Sequence, residues 1–461
     1  MEVVTVEVGG EYLLNIEKIV YGGEGLARPE DGPVVFIKNV LPGETVKARI
    51  TERKDNLARA ELIEVVNEAD CRIQPDCPVF FECGGCQLQH ADYQTQLEFK
   101  KKIIEESFDR IGKLEKWPDF EVQGMDFPWY YRNKGQFPVG ERDDELITGF
   151  YKAGSHEIIE FPECKIQHQP INRLLDKVLD FFNKHNVRAY DEEADQGILR
   201  HFVIRSGYCT GQLQLTVVVR NSLPVEVLDE LKDFIGEEQA LVSIYQNINT
   251  EKTNRILGEV SELIAGKDYI VDYIGKNKYS IYPESFFQVN TVQTEKLYSL
   301  IKGYVDRINP DKIYDAFCGS GAIAIYLADK FENITGIDIS LESIQAARIN
   351  AELNEANDLV NFQLGSVEDL LPDDLADDEL IIFDPPRKGL PDETVELIKN
   401  NGVENLLYVS CNPTTLARDL KAFSEDYRIK DLTAVDMFPQ TYHVETIGLL
   451  ERKIETENTG G

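Results

Sequence analysis

From about residue 290 onwards the chain alternates short apolar strands with helical segments, and this pattern restricts its fold more than any other feature. The strands are predicted at 312–315, 333–338, 380–384 and 406–410. Such βα repetition produces a doubly wound parallel sheet, in which ligands bind at the carboxyl ends of the strands. We therefore expect an α/β Rossmann-like domain over residues 286–461, with its site at those strand ends.

The first predicted strand ends in a glycine turn, Asp315-Ala-Phe-Cys-Gly319-Ser-Gly321. Glycines at such a turn let a ligand approach the backbone closely. The turn also fits a dinucleotide fingerprint, so alone it does not separate NAD from other cofactors. Three carboxylates favour S-adenosylmethionine, and the first of them, Asp315, precedes the glycines. Asp338 ends the second strand, where it can bind ribose hydroxyls, and Asp384 opens an Asp-Pro-Pro turn that is frequent in adenosylmethionine-dependent transferases.

A candidate nucleophile, Cys411, follows the last predicted strand directly. A cysteine at a strand end is more often buried and inert. Here it follows the cofactor-binding edge, and Asn412-Pro413 turns the chain away from the strand, which presents the thiol. A thiolate adds readily to an electron-poor carbon. Further along, His443 or Glu445 could serve as a general base, although an isolated glutamate is more often structural.

Three other cysteines, Cys77, Cys83 and Cys86, are spaced like metal ligands. The chain has no secretory signal and no run of about 18 apolar residues that would span a membrane, so we expect a cytoplasmic protein without membrane contact. Thiols stay reduced in that compartment, and clustered cysteines there indicate metal or catalytic sites before disulfides. Such thiolates bind iron–sulfur clusters or zinc, and this group supplies three ligands and leaves a fourth to be identified.

The net charge of −34 opposes binding to a phosphate backbone, so RNA binding would need local basic patches. One candidate is the run 47–59, with five basic residues against two acidic ones, and another is Arg132-Asn-Lys134. Runs of this kind are more often solvated surface. Composition alone therefore does not establish RNA binding.

The residues before the Rossmann-like region divide into two further predicted domains. Residues 1–66 contain short apolar alternations separated by Gly- and Pro-rich turns, which predicts a closed β-barrel of the OB type. The phrase Gly23-Glu-Gly-Leu-Ala-Arg28 in it resembles the TRAM domain, an RNA-binding barrel. Residues 67–285 mix strand-like and helix-like runs, which predicts an α+β central domain that carries the clustered cysteines.

Four motifs resemble the signatures of RNA uridine-C5 methyltransferases and occur in that family's order. They are Phe286-Phe-Gln-Val-Asn290, Phe383-Asp-Pro-Pro-Arg-Lys-Gly389, Ser410-Cys-Asn-Pro-Thr-Thr-Leu-Ala-Arg-Asp419 and Met437-Phe-Pro-Gln-Thr-Tyr-His-Val-Glu445. The clustered cysteines and the barrel narrow the resemblance to the RlmD/RumA-like 23S rRNA enzymes. The resemblance covers essentially the whole chain.

The resemblance implies a role for particular residues. Cys411 would add to C6 of a uracil, which makes C5 nucleophilic towards a methyl group, and Glu445 would remove the C5 proton. The matching positions for the methyl donor, S-adenosylmethionine, are Gln288, Phe317, Asp338 and Asp384. A uridine must leave its stack to be reached.

The resemblance also implies a ligand set and a substrate. Cys164 would complete a [4Fe–4S] cluster with Cys77, Cys83 and Cys86, whereas Cys71 is nearer in sequence and is a rival. The expected partner is 23S rRNA, with the T-loop of tRNA second, and no obligate protein partner is implied; Arg132 and Lys134 are expected RNA contacts. Two alternatives are a radical methylthiotransferase and a non-catalytic RNA-binding protein.

Overall fold

The computed structural model describes residues 6–29, 32–401 and 403–453. Residues 1–5 and 454–461, which belong to the predicted domains 1–66 and 286–461, lie outside the described residues. Within the described part of the chain, no helix is both long and apolar enough to cross a membrane.

The amino-terminal region forms a closed barrel with the strand order β1-β2-β3-β5-β4. Alternate side chains point inwards along each strand: Leu14 and Ile16 are buried, whereas Leu13, which precedes them, is exposed. The barrel therefore has its own apolar core. Its strands are β1 (Glu11–Ile19), β2 (Gly25–Ala27), β3 (Val34–Ile37), β4 (Thr45–Lys54) and β5 (Leu57–Asn67).

The middle of the chain has the mixed α+β character that the sequence predicts. Its main sheet has the order β14-β13-β12-β11-β7-β8, and β9–β10 and β15–β16 form separate ribbons. Helices α2 and α3 pack on the main sheet. The elements are α1 (Tyr93–Ser107), a π-helical turn (Phe108–Gly112), β6 (Val122–Gln123), β7 (Lys134–Arg142), β8 (Glu145–Thr148), β9 (Phe150–Tyr151), β10 (Ile158–Ile159), α2 (Gln169–Lys184), β11 (Leu199–Ser206), β12 (Leu213–Val219), α3 (Val225–Glu237), β13 (Leu241–Ile248), β14 (Val260–Gly266), β15 (Ile270–Ile274) and β16 (Asn277–Ile281).

The carboxyl-terminal region forms a sheet with the order β19-β18-β17-β20-β21-β23-β22-β6. Its strands β19, β18, β17, β20 and β21 run parallel; β17, β18, β20 and β21 correspond to the four predicted strands, and β19 was not among them. The elements are α4 (Thr291–Ile308), β17 (Lys312–Ala316), α5 (Ala322–Leu327), β18 (Ile334–Asp338), α6 (Leu341–Leu353), β19 (Val360–Leu364), α7 (Val367–Leu370), β20 (Glu379–Phe383), α8 (Asp392–Asn401), β21 (Asn405–Ser410), α9 (Pro413–Phe423), β22 (Tyr427–Val435) and β23 (Glu445–Arg452).

Two features of this sheet differ from the sequence-based expectation. Strand β23 inserts antiparallel between β21 and β22. Strand β6, which lies in the predicted central range, pairs with β22 at the edge of the sheet. Helix α1 from the same range packs against α9, and its Ile104 and the adjoining Phe108 are buried in the core of the carboxyl-terminal region. Elements from before residue 125 therefore complete this fold.

Candidate active site

The pairing of β21 with β23 brings Cys411 and Glu445 together. Ser410, the last residue of β21, lies opposite Thr446 in the antiparallel ladder. Cys411 follows Ser410 and Glu445 precedes Thr446, so the next pair of positions across the two strands is Cys411 and Glu445. Both side chains line one cavity of about 830 Å³, and Glu445 is only 4% exposed.

Burial and nearby charges separate the two candidate bases. Burial raises the pKa of Glu445 to about 8, the Asp384 carboxylate adds to this effect, and Arg387 opposes it. Burial lowers the pKa of His443 to about 4, and the positive charge of Arg387 contributes. A general base works best with a pKa near the working pH. Glu445 is therefore better suited than His443 to accept a proton at neutral pH.

The Cys411 thiol is held in its protonated form. Burial raises its pKa to about 12, the carboxylates of Glu445 and Asp384 add to the effect, and Arg387 opposes it. The thiolate is the nucleophilic form of cysteine. Additional positive charge in the cavity is therefore needed before this thiol can ionise readily at neutral pH.

The glycine turn after β17 shapes the opposite side of the cavity. Gly321 has a φ of 76°, and a Cβ there would lie 2.4 Å from the Phe362 ring, so only glycine fits. Phe317 in the same turn has a φ of 66°, a strained value for a residue with a side chain. The Gly319 amide donates a hydrogen bond to Asp338 Oδ2 at 3.0 Å. The turn and the second strand end are thus fastened together.

The Asp315 carboxyl group, buried beneath this turn, has one oxygen without a hydrogen-bond partner among the described residues. Asp315 is 0% exposed, and its Oδ2 accepts a hydrogen bond from the Ala324 amide at 3.1 Å. Its Oδ1 has no hydrogen-bond partner among the described residues. Burial, with Asp384 adding to it, raises the pKa of Asp315 to about 8, and burial raises that of Asp384 to about 7.

These carboxyl groups suit a cationic ligand. S-adenosylmethionine carries a sulfonium and an ammonium group, and either would offset the cost of ionising Asp315 and Asp384 in a buried site. The other predicted donor-binding residues, Gln288, Phe317 and Asp338, line the same cavity. The side chains present therefore fit this methyl donor.

The clustered cysteines come together in the lining of the same cavity. Cys77, Cys83, Cys86 and Cys164 all line it, although Cys164 is distant in sequence. Burial raises the pKa of Cys164 to about 12 and raises that of Cys86 further, with the charge of Cys164 contributing to the latter. Cys71, the rival fourth ligand, packs instead in an apolar cluster under the barrel. Among residues 6–29, 32–401 and 403–453, no group of three or more His, Cys, Asp or Glu side chains is arranged to hold a single metal ion.

Of the predicted RNA contacts, Arg132 lines the cavity and donates a hydrogen bond to the Lys134 carbonyl at 3.2 Å. Burial lowers the pKa of Lys134 to about 7, and Arg205 and Arg132 contribute. The structure thus places three basic side chains near one another beside the site.

The basic run 47–59 differs from the expectation of a free cationic patch. Lys47 and Arg49 lie on β4 and both form ion pairs with Glu11 on the neighbouring strand β1. Their charge is therefore partly neutralised within the barrel, and the run offers less attraction to a polyanion than its sequence indicates.

Arg387 is the main site residue to which sequence reasoning gave no role. It lies in the exposed loop after Asp384 and lines the cavity. Its backbone carbonyl accepts a hydrogen bond from Asn412 Nδ2 at 3.1 Å, which fixes this loop to the residue after Cys411. The signal available in the sequence was its position directly after the Asp-Pro-Pro turn.

Two family profiles match the chain. The tRNA (Uracil-5-)-methyltransferase profile matches residues 92–453, and the TRAM domain profile matches residues 5–63. The second match confirms the predicted TRAM-like barrel, and the structure confirms a multidomain chain with a carboxyl-terminal methyltransferase fold.

Similar proteins extend over nearly the whole chain. Proteins described as uncharacterized RNA methyltransferases include one from Halalkalibacterium halodurans, 38% identical and covering 95% of this chain and 96% of its own length. Another, from Clostridium acetobutylicum, is 39% identical and covers 98% and 99%. A solved structure, the Pyrococcus abyssi tRNA (uracil-54, C5)-methyltransferase in complex with S-adenosyl-L-homocysteine, is 27% identical with a TM-score of 0.77, covering 95% of this chain and 99% of its own.

Proposed function

The chain belongs to the tRNA (uracil-5-)-methyltransferase family and is an S-adenosylmethionine-dependent RNA methyltransferase, and from this we propose that it methylates C5 of a specific uridine in 23S rRNA. The observation that carries the chemistry is the β21–β23 register, which sets a thiol and a buried carboxyl side by side in one cavity. The radical methylthiotransferase and the non-catalytic RNA-binding protein do not fit this family.

The reaction begins with the Cys411 thiolate. Its Sγ forms a bond to C6 of the uracil, and the electron pair of the C5=C6 double bond moves towards the C4 carbonyl, which makes C5 nucleophilic. S-adenosylmethionine, when bound, would supply the methyl group that C5 takes up and would leave as S-adenosylhomocysteine. Glu445 then removes the C5 proton, the C5=C6 bond re-forms, and the Sγ–C6 bond breaks to release Cys411.

The donor pocket has a second role in this scheme. Gln288, Phe317, Asp338 and Asp384 hold the methyl donor, and the orphaned Oδ1 of Asp315 adds negative charge near it. The Cys411 thiol needs nearby positive charge to ionise, and the bound donor would bring that charge. Donor binding and thiol ionisation therefore support each other, because the cavity joins the two groups.

We also propose that Cys77, Cys83, Cys86 and Cys164 bind a [4Fe–4S] cluster with a structural or RNA-positioning role. Their proximity to one another in the cavity lining supports this. A zinc site needs all four sulfurs at about 2.3 Å from a single ion, whereas each thiolate of a cluster binds its own iron, so the sulfurs stand further apart. Iron and zinc analysis of the purified protein distinguishes these two arrangements.

A uridine in the T-loop of tRNA is the second candidate substrate. It is favoured by the Pyrococcus abyssi structure, which is named as a tRNA enzyme and matches 95% of this chain, barrel included. The ranking of 23S rRNA first comes from the clustered cysteines together with the TRAM domain. For either RNA we propose the same division of labour: 1–66 and 67–285 bind RNA, with Arg132 and Lys134 among the contacts, and 286–461 carries out the chemistry.

Mapping 5-methyluridine by mass spectrometry in 23S rRNA and tRNA from a deletion strain tests this proposal. One rRNA position should lose its methyl group, regain it with the wild-type gene and stay unmethylated with Cys411→Ala. Loss confined to tRNA would replace the first candidate with the second. A deletion strain with unchanged 5-methyluridine in both RNAs would contradict the proposed reaction.

A further inference from the structure

The barrel is seated directly on the loop that leads to Glu445. Gly23 lies so close to the rest of the chain that a Cβ there would be 2.7 Å from Gln87 Cβ and 3.4 Å from Tyr442 Cδ1. The amides of Gln87 and Leu88 both donate hydrogen bonds to the Gln440 carbonyl, each at 3.0 Å. The turn between β1 and β2 is thus held against residues 438–445.

Four aromatic side chains run from this turn to the wall of the cavity, and we name them the aromatic row: Tyr21, Tyr442, His443 and Phe438. The ring centroids of Tyr21 and Tyr442 are 5.2 Å apart, those of Tyr442 and His443 are 4.1 Å apart, and those of His443 and Phe438 are 5.6 Å apart. All four are half-buried. Phe438 and His443 line the cavity, so the row extends it outwards onto the barrel.

The charges around the row suit a nucleotide. Burial raises the pKa of Tyr21, the Tyr442 hydroxyl adds to this, Arg387 opposes it, and Cys411 contributes, which agrees with a Tyr21 hydroxyl near the reaction centre. The lowered pKa of His443 leaves its ring neutral at pH 7. The uncharged rings can stack on a nucleobase, and the Arg387 guanidinium beside them can contact a phosphate.

We propose that the aromatic row binds the nucleobase adjacent to the target uridine in single-stranded RNA, an inference that rests on the proposed function. When a uridine leaves its stack, its neighbour loses a stacking partner. Aromatic side chains replace that partner without regard to base identity. Because Tyr21 belongs to the barrel, the barrel then forms part of the substrate site. The contact between the β1–β2 turn and residues 438–445 therefore positions RNA as well as joining two domains.

A short single-stranded oligouridine with one 2-aminopurine tests this directly, because the fluorescence of that base is quenched when it stacks. The wild-type protein should quench it. Tyr21→Leu and Tyr442→Leu, which keep apolar volume but remove a ring, should lose most of the quenching, and Tyr21→Phe should retain it. Tyr12→Leu, a half-buried tyrosine in the same barrel that packs on the barrel core, should quench like the wild type.

Steady-state methylation separates substrate binding from a merely structural role. Tyr21→Leu should raise the KM for RNA about tenfold, with kcat at saturating RNA within about twofold of wild type. An equal fall in kcat with unchanged KM, or quenching that persists in the Tyr21→Leu/Tyr442→Leu double variant, overturns the proposal. A wild-type protein that quenches but methylates no RNA would contradict the proposed function and leave the aromatic row supported.

Discussion

Lys100 and Asp436 form an ion pair in which both side chains are 0% exposed. The pair ties α1 to the segment that precedes Glu445, and Asp436 also accepts a hydrogen bond from the Tyr93 hydroxyl at 2.9 Å. Lys100 Nζ donates a second hydrogen bond to the Phe438 carbonyl at 3.0 Å. Helix α1 thus fixes the segment from Asp436 to Phe438, which leads to the proposed base Glu445.

Removing Lys100 should therefore destabilise the whole fold. Lys100→Met leaves Asp436 buried without its cation, and loss of one partner of a buried pair costs about 3–5 kcal/mol. Urea denaturation followed by circular dichroism measures the change. Lys101→Met is the matched control, since its partner Asp119 is 91% exposed and exposed pairs contribute little. Equal effects of the two substitutions would contradict the anchoring role of Lys100.

Glu445→Gln should stop the reaction after methyl transfer. Cys411 can still add to C6, but nothing removes the C5 proton, so a covalent enzyme–RNA adduct should accumulate and turnover should fall by a factor of about 10²–10⁴. A denaturing gel with methyl-labelled donor detects the adduct. His443→Gln should release its product normally. An adduct in His443→Gln and none in Glu445→Gln would exchange the roles of the two residues.

The ionisation of Cys411 should depend on the charge of the bound donor. S-adenosylmethionine is a sulfonium cation, whereas S-adenosyl-L-homocysteine is a neutral thioether of almost the same shape. The cation should lower the raised pKa of the Cys411 thiol, because it offsets Glu445 and Asp384. Iodoacetamide alkylation against pH, read by mass spectrometry of the Cys411 peptide, measures this. Equal pH profiles with the two compounds would contradict it.

The ligand-free protein should lose stability as the pH rises towards 8. The folded-state pKa of Asp315 is raised to about 8 from its ordinary value near 3.8. The native state therefore holds a proton that the unfolded state has released, and the free energy of unfolding falls with pH between those values. Asp384 and Glu445, whose pKa values are also raised, contribute to the same slope, so Asp315→Asn should reduce it without abolishing it, and S-adenosylmethionine should reduce it in the wild type. Urea melts at pH 5 and pH 8 would show it; a slope unchanged by Asp315→Asn would contradict the burial of an uncompensated carboxyl.

Cys164→Ser should lower the iron content of protein purified without oxygen, whereas Cys71→Ser should not. Cys164 lies near Cys86 in the lining of the cavity, and Cys71 packs with apolar side chains elsewhere. Iron and sulfide analysis with the visible absorption spectrum measures occupancy. The reverse result would make Cys71 the fourth ligand, and zinc in place of iron in the wild-type protein would replace the cluster.

Those parts of the fold that depend on local hydrophobic periodicity could mostly be predicted from the sequence. The parallel strands and the residues at their ends, Asp338, Asp384 and Cys411, lie where alternation and turn residues place them. The antiparallel β23 was not predicted, because its position depends on pairing with β21 and not on its own residues. The expectation that Cys411 and Glu445 act together therefore rested on the family resemblance alone. The pairing of β21 with β23 gives the physical reason that they lie side by side.

Long-range contacts explain the remaining differences. The ion pair of Lys100 with Asp436 and the packing of Tyr21 on Tyr442 join residues far apart in sequence, and neither member of a pair carries a signal for the other. The basic run 47–59 shows the converse: its charges are visible in sequence, but the β1–β4 pairing that places Glu11 beside them is not.

Strand β6 joins a sheet built from the far end of the chain and α1 packs against α9, so the core they share cannot close until those later elements have been synthesised. Ile104 and Phe108 leave the ribosome well before α9 and β23, against which their core closes. At ordinary elongation rates that interval lasts roughly tens of seconds. Throughout it the apolar face of α1 lacks its final partners, so the catalytic fold closes only after translation is nearly finished.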